Sequence, residues 1–475
     1  MRQAADHTRR WLALAVLLTG ALLPPVDFFI VNVALPSMRQ TLGISAADAQ
    51  MVISGYAASY AVFLVTGGRL GDLFGRRRFF IFGVGGFTLA SLVCGLAVDG
   101  RMLVAGRVLQ GLSAAMLVPQ ALGTIRGLFS GAQLGRALAL YGMTLGLGGV
   151  AGQFLGGAIT AADAFGLGWR MVFLVNVPIG ILAVAGAWAL VPETSAVERP
   201  QLDVGGSVLI SLALAALIVP LSEGRERGWP WWCVALLASA PGLVGVFVAW
   251  ERRLGRRGGM PILDLALLRI GSFRRGALVA GFFFWTTAFY MLFGIYQQEG
   301  LGTDALHTGL GIMPYGIGLF VAPLATGALP ARMQRYLFGT GFGLEILGYT
   351  AIAGAVFVQA SPGLVMGLLF FTGFSQGVAM PRLFTMALGE VPPAQAGLAA
   401  GVVNMMLQIG AAISASGIAG VFFAVLDGRT GPAAYGRALG VAMIVMVVGF
   451  VVAFLAGVIP PRRSVPVSPS GRRRW

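Results

Sequence analysis

Apolar runs of about 20 residues recur from one end of the chain to the other, and each is long enough to cross a bilayer core as a helix. Fourteen can be placed, with approximate limits 11–35, 49–67, 79–98, 101–125, 135–160, 170–190, 203–222, 231–250, 273–296, 307–329, 335–357, 362–388, 395–424 and 435–459. A chain of 475 residues has room for two or three soluble domains. Yet only 11% of its residues are charged, against about 25% in a soluble domain. The expected class is therefore an all-α integral membrane protein. The first run is longer than the apolar stretch of a signal peptide and reads as a retained helix.

Every basic residue is Arg. Without Lys, neither a phosphate-binding loop of the G-x-x-x-x-G-K-[ST] kind nor a Schiff base is available. His7 and His307 are the only histidines, and Cys94 and Cys233 sit inside apolar runs as small core residues. No catalytic residue, metal site or cofactor is expected. With the N-terminus inside and the spans alternating, 24 arginines fall on the cytoplasmic side and 7 outside. The positive-inside rule then sets both termini in the cytoplasm of a multi-pass protein of the cell membrane. The net charge of +15 is accounted for by this distribution and calls for no nucleic-acid partner. The lipid bilayer is the expected surrounding, and a monomer the expected state.

The organisation reads as a six-helix unit over 1–190, two inserted helices over 191–250, a cytoplasmic linker over 251–272, a second six-helix unit over 273–459, and a disordered basic tail over 460–475. A faint repeat supports the division. Gly68, Leu70 and Arg76 are echoed by Gly327, Leu329 and Arg335, and Gly111 and Pro119 by Gly373 and Pro381, at offsets of 259 and 262 residues. Transporters are often built from such duplicated units.

The segment after the second run reads Gly67-Gly68-Arg69-Leu70-Gly71-Asp72-Leu73-Phe74-Gly75-Arg76-Arg77-Arg78. It resembles the G-x-L-x-D-x-x-G-R-R signature of the major facilitator superfamily. Asp27 to Pro36, with Asn32, is similar to the D-x-T-I-V-N-V-A-L-P of its fourteen-helix drug:proton antiporters, with Phe29 in place of Thr. Arg107-Val108-Leu109-Gln110-Gly111 with Pro119 is similar to their R-x-x-Q-G…P, and 169–180, Tyr296-Gln297-Gln298 and Asn404 with Gln408-Ile409-Gly410 resemble further segments of that group. One position departs. In Gly148-x-x-x-Gly152-Gln153-x-x-Gly156-Gly157 a Gln stands where the antiporter motif has Pro. A Pro kinks a helix, whereas Gln leaves it straighter and adds a polar group. The four glycines keep a helix-packing face. The resemblance implies a major facilitator fold of two six-helix bundles plus two inserted helices.

Ionisable residues in a span cost about 2.5–3.5 kcal/mol each on insertion scales, so Asp27, Arg107, Glu345 and Arg382 are functional candidates. Asp27 lies about 12 Å below the outer end of its helix and Arg107 about 9 Å below that of its own, at 1.5 Å per residue. The matched depths predict a pair that carries proton coupling. Glu345 is either a partner of Arg382 or a separate group, and Arg382 alternatively snorkels to the interface. Gly68, Asp72, Gly75, Arg76 and Arg77 form a candidate conformational latch. Asn32, Gln110, Gln153, Tyr290, Gln297, Asn404, Glu345 and Arg382 are candidate cavity or substrate residues. The expected function is export of small lipophilic compounds in exchange for protons. Transport of one endogenous metabolite without proton antiport is the alternative. A membrane enzyme or receptor is disfavoured, because the sequence carries no nucleophile constellation, metal cluster or large soluble domain.

Overall fold

The structure is a computed structural model that describes residues 2–44, 46–163, 166–193, 203–224, 227–257, 259, 261, 265–327, 329–334, 336–392 and 396–458. Arg199, Arg225, Arg335 and the tail over 460–475 lie outside the described residues. The elements are α1 (Arg2–Leu42), α2 (Ala46–Phe74), α3 (Arg76–Gly95), α4 (Gly100–Leu128), α5 (Gly131–Ala162), α6 (Gly168–Leu190), α7 (Val204–Glu223) and α8 (Trp231–Arg256). They continue with α9 (Gly271–Gly300), α10 (Ala305–Gly327), α11 (Leu337–Phe357), α12 (Pro362–Leu388), α13 (396–426) and α14 (Pro432–Val458).

Twelve of these pass a test of length and apolarity for a membrane span among the described residues. The thirteenth is α2, bent by 50° between Met51–Leu64 and Thr66–Phe74. The remaining helix, α13, is not long enough as one regular apolar helix to pass that test: it runs from Ala396–Ile413 through a π-helical turn at Ser414–Ile418 into Ala419–Leu426. The architecture is thus the expected all-α membrane fold. Two further spans are less regular than their sequence suggests. Helix α9 breaks after Phe283 and ends in a π turn over Tyr296–Gly300, and α6 begins as a 3₁₀ turn. By contrast, α1 runs as one helix through Pro24 and Pro25.

Helix pairings are duplicated. In the first bundle α2 packs on α4, α3 on α4, α1 on α5 and α3 on α6. In the second, α10 packs on α12, α11 on α12, α9 on α13 and α11 on α14. Glycines set the closest approaches, because only a missing side chain admits a neighbouring backbone. A Cβ on Gly111 of α4 would lie 2.3 Å from the Tyr56 carbonyl oxygen of α2, and one on Gly373 of α12 would lie 1.9 Å from that of Tyr315 on α10. Tyr56 and Tyr315 are themselves 259 residues apart. Helices α7 and α8 pair with one another, with α7 against α2. The bundles meet chiefly along α5 and α10, and more sparsely along α2 and α13.

Candidate functional site

Helix α5 carries Gly148, Gly152 and Gly156 on one stripe, and each faces α1: a Cβ there would lie 2.6 Å from Pro25, 2.5 Å from the Val26 carbonyl and 2.9 Å from that of Ile30. Gly157 is buried beside them. This close contact seats the middle of α1, and with it Asp27, deep in the first bundle. Asp27 and Arg107 are both fully buried and form an ion pair through Asp27 Oδ2 and Arg107 Nη1. The pairing expected from their depths is therefore present.

The pair sits in a set of polar groups rather than alone. Asp27 Oδ1 accepts from the side-chain amides of Gln110 at 3.0 Å and Asn176 at 2.9 Å. Gln110 Nε2 also donates to Ser91 Oγ at 2.8 Å, and its Oε1 accepts from Arg107 at 2.9 Å. Arg107 Nε donates to the Val52 carbonyl at 2.9 Å, and the guanidinium carbon lies 4.2 Å from the centre of the Tyr56 ring. The Tyr56 hydroxyl donates to the Pro24 carbonyl at 3.2 Å. Helices α1, α2, α3, α4 and α6 all contribute. Charges taken out of water are tolerated only when paired and hydrogen-bonded, and this carboxylate has both. One atom is left over: Arg107 Nη2 is buried with no hydrogen-bond partner.

Gln153 on α5 is 2% exposed and donates through Nε2 to the Tyr290 carbonyl on α9 at 2.8 Å, across the seam between the bundles. Its Oε1 has no partner. Beside it, the rings of Phe29 and Tyr290 meet edge to face with centroids 5.0 Å apart. Behind Tyr290 lies a second buried polar group. The Tyr315 hydroxyl bonds the Tyr349 hydroxyl at 2.9 Å and Gln376 Oε1 at 2.8 Å, and Gln376 Nε2 donates to Thr286 at 3.2 Å. Glu345 is fully buried on α11, one turn before Tyr349, and neither carboxyl oxygen has a hydrogen-bond partner. It does not pair with Arg382, which donates instead to Gln334 Oε1 at 3.3 Å. That corrects the pairing considered from sequence: Arg382 turns toward the α10–α11 connection, whereas Glu345 faces inward from the middle of α11.

The remaining candidates stand apart from both groups. The side-chain amides of Asn32 and Asn404 donate to carbonyls four residues back on their own helices, Phe28 at 2.9 Å and Ala400 at 3.1 Å. Gln297 is half-buried in the π turn of α9. The latch candidates do assemble. Arg76 binds Asp72 through two nitrogens, at 2.8 and 2.9 Å, and donates to the Gly123 carbonyl of α4 at 2.9 Å. Gly75 joins α2 to α3 at φ 106°, a left-handed conformation that favours glycine, and a Cβ there would lie 2.7 Å from Glu193. Glu193 accepts from the Arg77 backbone N–H at 3.0 Å. A Cβ on Gly68 would lie in ordinary contact with Pro119 at 3.4 Å. The signature segment is not a loop, since α2 runs through Phe74 and only Gly75 interrupts the helices. Sequence reading passed over Ser91 and Tyr56, and noted Asn176 only as part of a resembling segment. A Ser or Tyr in an apolar run carries no pattern of its own.

The Major Facilitator Superfamily profile matches residues 17–415. A probable actinorhodin transporter of Streptomyces coelicolor is 39% identical over 430 residues, covering 89% of this chain and 74% of that one. The cephamycin export protein CmcT of Amycolatopsis lactamdurans is 33% identical, covering 97% of this chain and 96% of that one. Among solved structures, the human organic anion transporter MFSD10 has a TM-score of 0.66 at 16% identity, covering 94% of this chain and 99% of that one, and supports the fold alone. The chain therefore belongs to the Major Facilitator Superfamily, in its drug-efflux branch, and is a membrane transporter rather than an enzyme.

Proposed function

We propose that this transporter exports small lipophilic compounds from the cytoplasm in exchange for protons, by alternating access of its two bundles. Both termini lie in the cytoplasm, the side that receives most of the arginines. The units run over 1–190 and 273–459, with the pair of helices over 191–250 inserted, and the working state is a monomer. The observation that carries the reading is the buried carboxylate of Asp27, held by Arg107, Gln110 and Asn176 at the centre of one bundle. A carboxylate at that depth is costly, and such groups mark proton relays and substrate paths. The relatives named as export proteins for cephamycin and tetracenomycin C support the direction, and together with the probable actinorhodin transporter they support a small-molecule cargo.

Asp27 takes a proton in the outward-facing state and releases it in the inward-facing one. Arg107, Gln110 and Asn176 stabilise the ionised form, and loss of those bonds as the helices shift favours the protonated form. Asp72, Gly75, Arg76 and Arg77 hold the cytoplasmic mouth in one state. Gln153 and Tyr290 hold the seam between the bundles. The reading is tested in inverted membrane vesicles with ethidium as the probe. Uptake is expected when a proton gradient is imposed and should stop when nigericin collapses it. Uptake that ignores the gradient would favour the rival, a metabolite carrier without proton antiport, which the polar Gln153 in place of Pro supports.

A further inference from the structure

Two carboxyls are buried at the hearts of the two bundles, and only one has partners. Asp27 is bonded on both oxygens. Glu345 is equally buried, at the ninth position of the 21-residue α11, and has no bond on either. Its helix face is inward: Phe342, Gly348, Tyr349 and Ile352 around it are also buried. The groups that face it are few. Helices α12 and α14 pack on α11. On α12, Arg382 is engaged with Gln334, and Thr372 and Ser375 donate to carbonyls of their own helix at 2.7 and 2.8 Å. On α14, Arg437 is exposed and Tyr435 donates to Glu299 at 3.0 Å. Tyr349 follows Glu345 by one turn on α11 and bonds the Tyr315 hydroxyl, and Tyr290 packs on Tyr315. No cation among the described residues pairs with Glu345.

An ionised carboxylate with neither a hydrogen bond nor a counter-charge carries a desolvation penalty that nothing here offsets. A neutral acid does not. The duplication of the fold adds a second argument. Tyr56 lies against the Asp27–Arg107 pair, and Tyr315, its counterpart 259 residues on, belongs to the hydroxyl chain beside Glu345. Each bundle thus holds one buried carboxyl near the equivalent tyrosine. The Glu345 neighbourhood is also wired to the seam. Tyr290 is bound by Gln153 of α5 and packs on Tyr315 with ring centroids 5.4 Å apart, and Tyr315 bonds Tyr349.

We propose that Glu345 is a second proton-carrying site, holding a proton as a neutral acid in the packing seen here and exchanging it with water when the seam opens. On parting of α5 and α9, Tyr290 moves, the Tyr315–Tyr349 chain loosens, and water reaches the carboxyl. The O–H bond of Glu345 then breaks and its proton passes to that water. Only the use of this proton in transport rests on the coupling assigned to Asp27; the neutral state does not.

The test is infrared spectroscopy of the full chain in lipid nanodiscs near neutral pH, with no substrate. A carbonyl band of a neutral carboxyl is expected in the wild type, unchanged in Asp27→Asn, and shifted by ¹³C-glutamate labelling of the wild type, a measurement that needs no variant. It should vanish in Glu345→Gln. A band absent from the wild type, or unchanged in Glu345→Gln, overturns the proposal. A second measurement asks whether the proton is used. Spin labels at Ala161→Cys and Leu301→Cys report the distance across the seam as pH is varied. The distance in Asp27→Asn should still respond to pH, and in Asp27→Asn/Glu345→Gln it should not. A flat response in Asp27→Asn alone overturns the role of Glu345. Failure of ethidium export by the wild type would sink the export reading and leave the infrared result standing.

Discussion

Gln153 on α5 donates its side-chain amide to the backbone carbonyl of Tyr290 on α9, 2.8 Å away, so the one residue that replaces the motif's Pro ties the two bundles together. A single hydrogen bond contributes about 1 kcal/mol net, or about a fivefold change in an equilibrium. Gln153→Leu should lower the population of the state with the seam closed by about that factor. Distances between labels at Ala161→Cys and Leu301→Cys would report it. An unchanged distribution would mean that the bond holds nothing.

The pairing of Asp72 with Arg76, reinforced by the Gly123 carbonyl, locks α2, α3 and α4 at one end of the first bundle. It lies far from the Asp27 cluster along α2 and α4. Asp72→Asn should slow turnover severalfold while substrate affinity changes less than twofold, because a bond that differs between states shifts populations rather than contacts. A tenfold loss of affinity with turnover intact would contradict a latch.

The distribution of arginines sets a topology that labelling can read. Gly255 and Arg227 are exposed at opposite ends of α8, and both native cysteines are buried. An impermeant thiol reagent should reach Arg227→Cys on intact cells and Gly255→Cys only after the membrane is opened. Labelling of Gly255→Cys on intact cells would reverse the orientation.

The duplicated close contacts at Gly111 and Gly373 should be equally intolerant of bulk. Each has a tyrosine carbonyl where a Cβ would go. Overpacking of this kind costs about 1–3 kcal/mol. Gly111→Ala and Gly373→Ala should both lower the melting temperature in detergent, while Gly363→Ala, with open space at its Cβ, should not. Tolerance of either of the first two would separate the two halves.

The sequence was informative where a residue type is rare in its surroundings. Asp27 and Arg107 stand out because charge in an apolar run is costly, and their depths along two helices were enough to pair them. The helix breaks were harder to see. Helix α2 continues through Gly67 to Phe74 because these residues pack on α4, where Gln120 donates to the Gly67 carbonyl at 2.8 Å; composition alone makes such a Gly-rich stretch look like a loop. Ser91 and Tyr56 were invisible because their roles depend on five helices converging. Arg382 and Glu345 illustrate the reverse: opposite charges on neighbouring helices suggest a pair, but facing, which one sequence does not report, keeps them apart.

In the proposed mechanism Asp27 carries the coupling proton. The most direct test of this role is reconstituted transport of ethidium under an imposed pH gradient, comparing the wild type with Asp27→Asn. Asn keeps the size and most hydrogen bonds of Asp but cannot release and rebind a proton. Asp27→Asn should lose uphill export while binding stays measurable and exchange down the ethidium gradient continues. Uphill export by Asp27→Asn at a rate near that of the wild type would contradict the account.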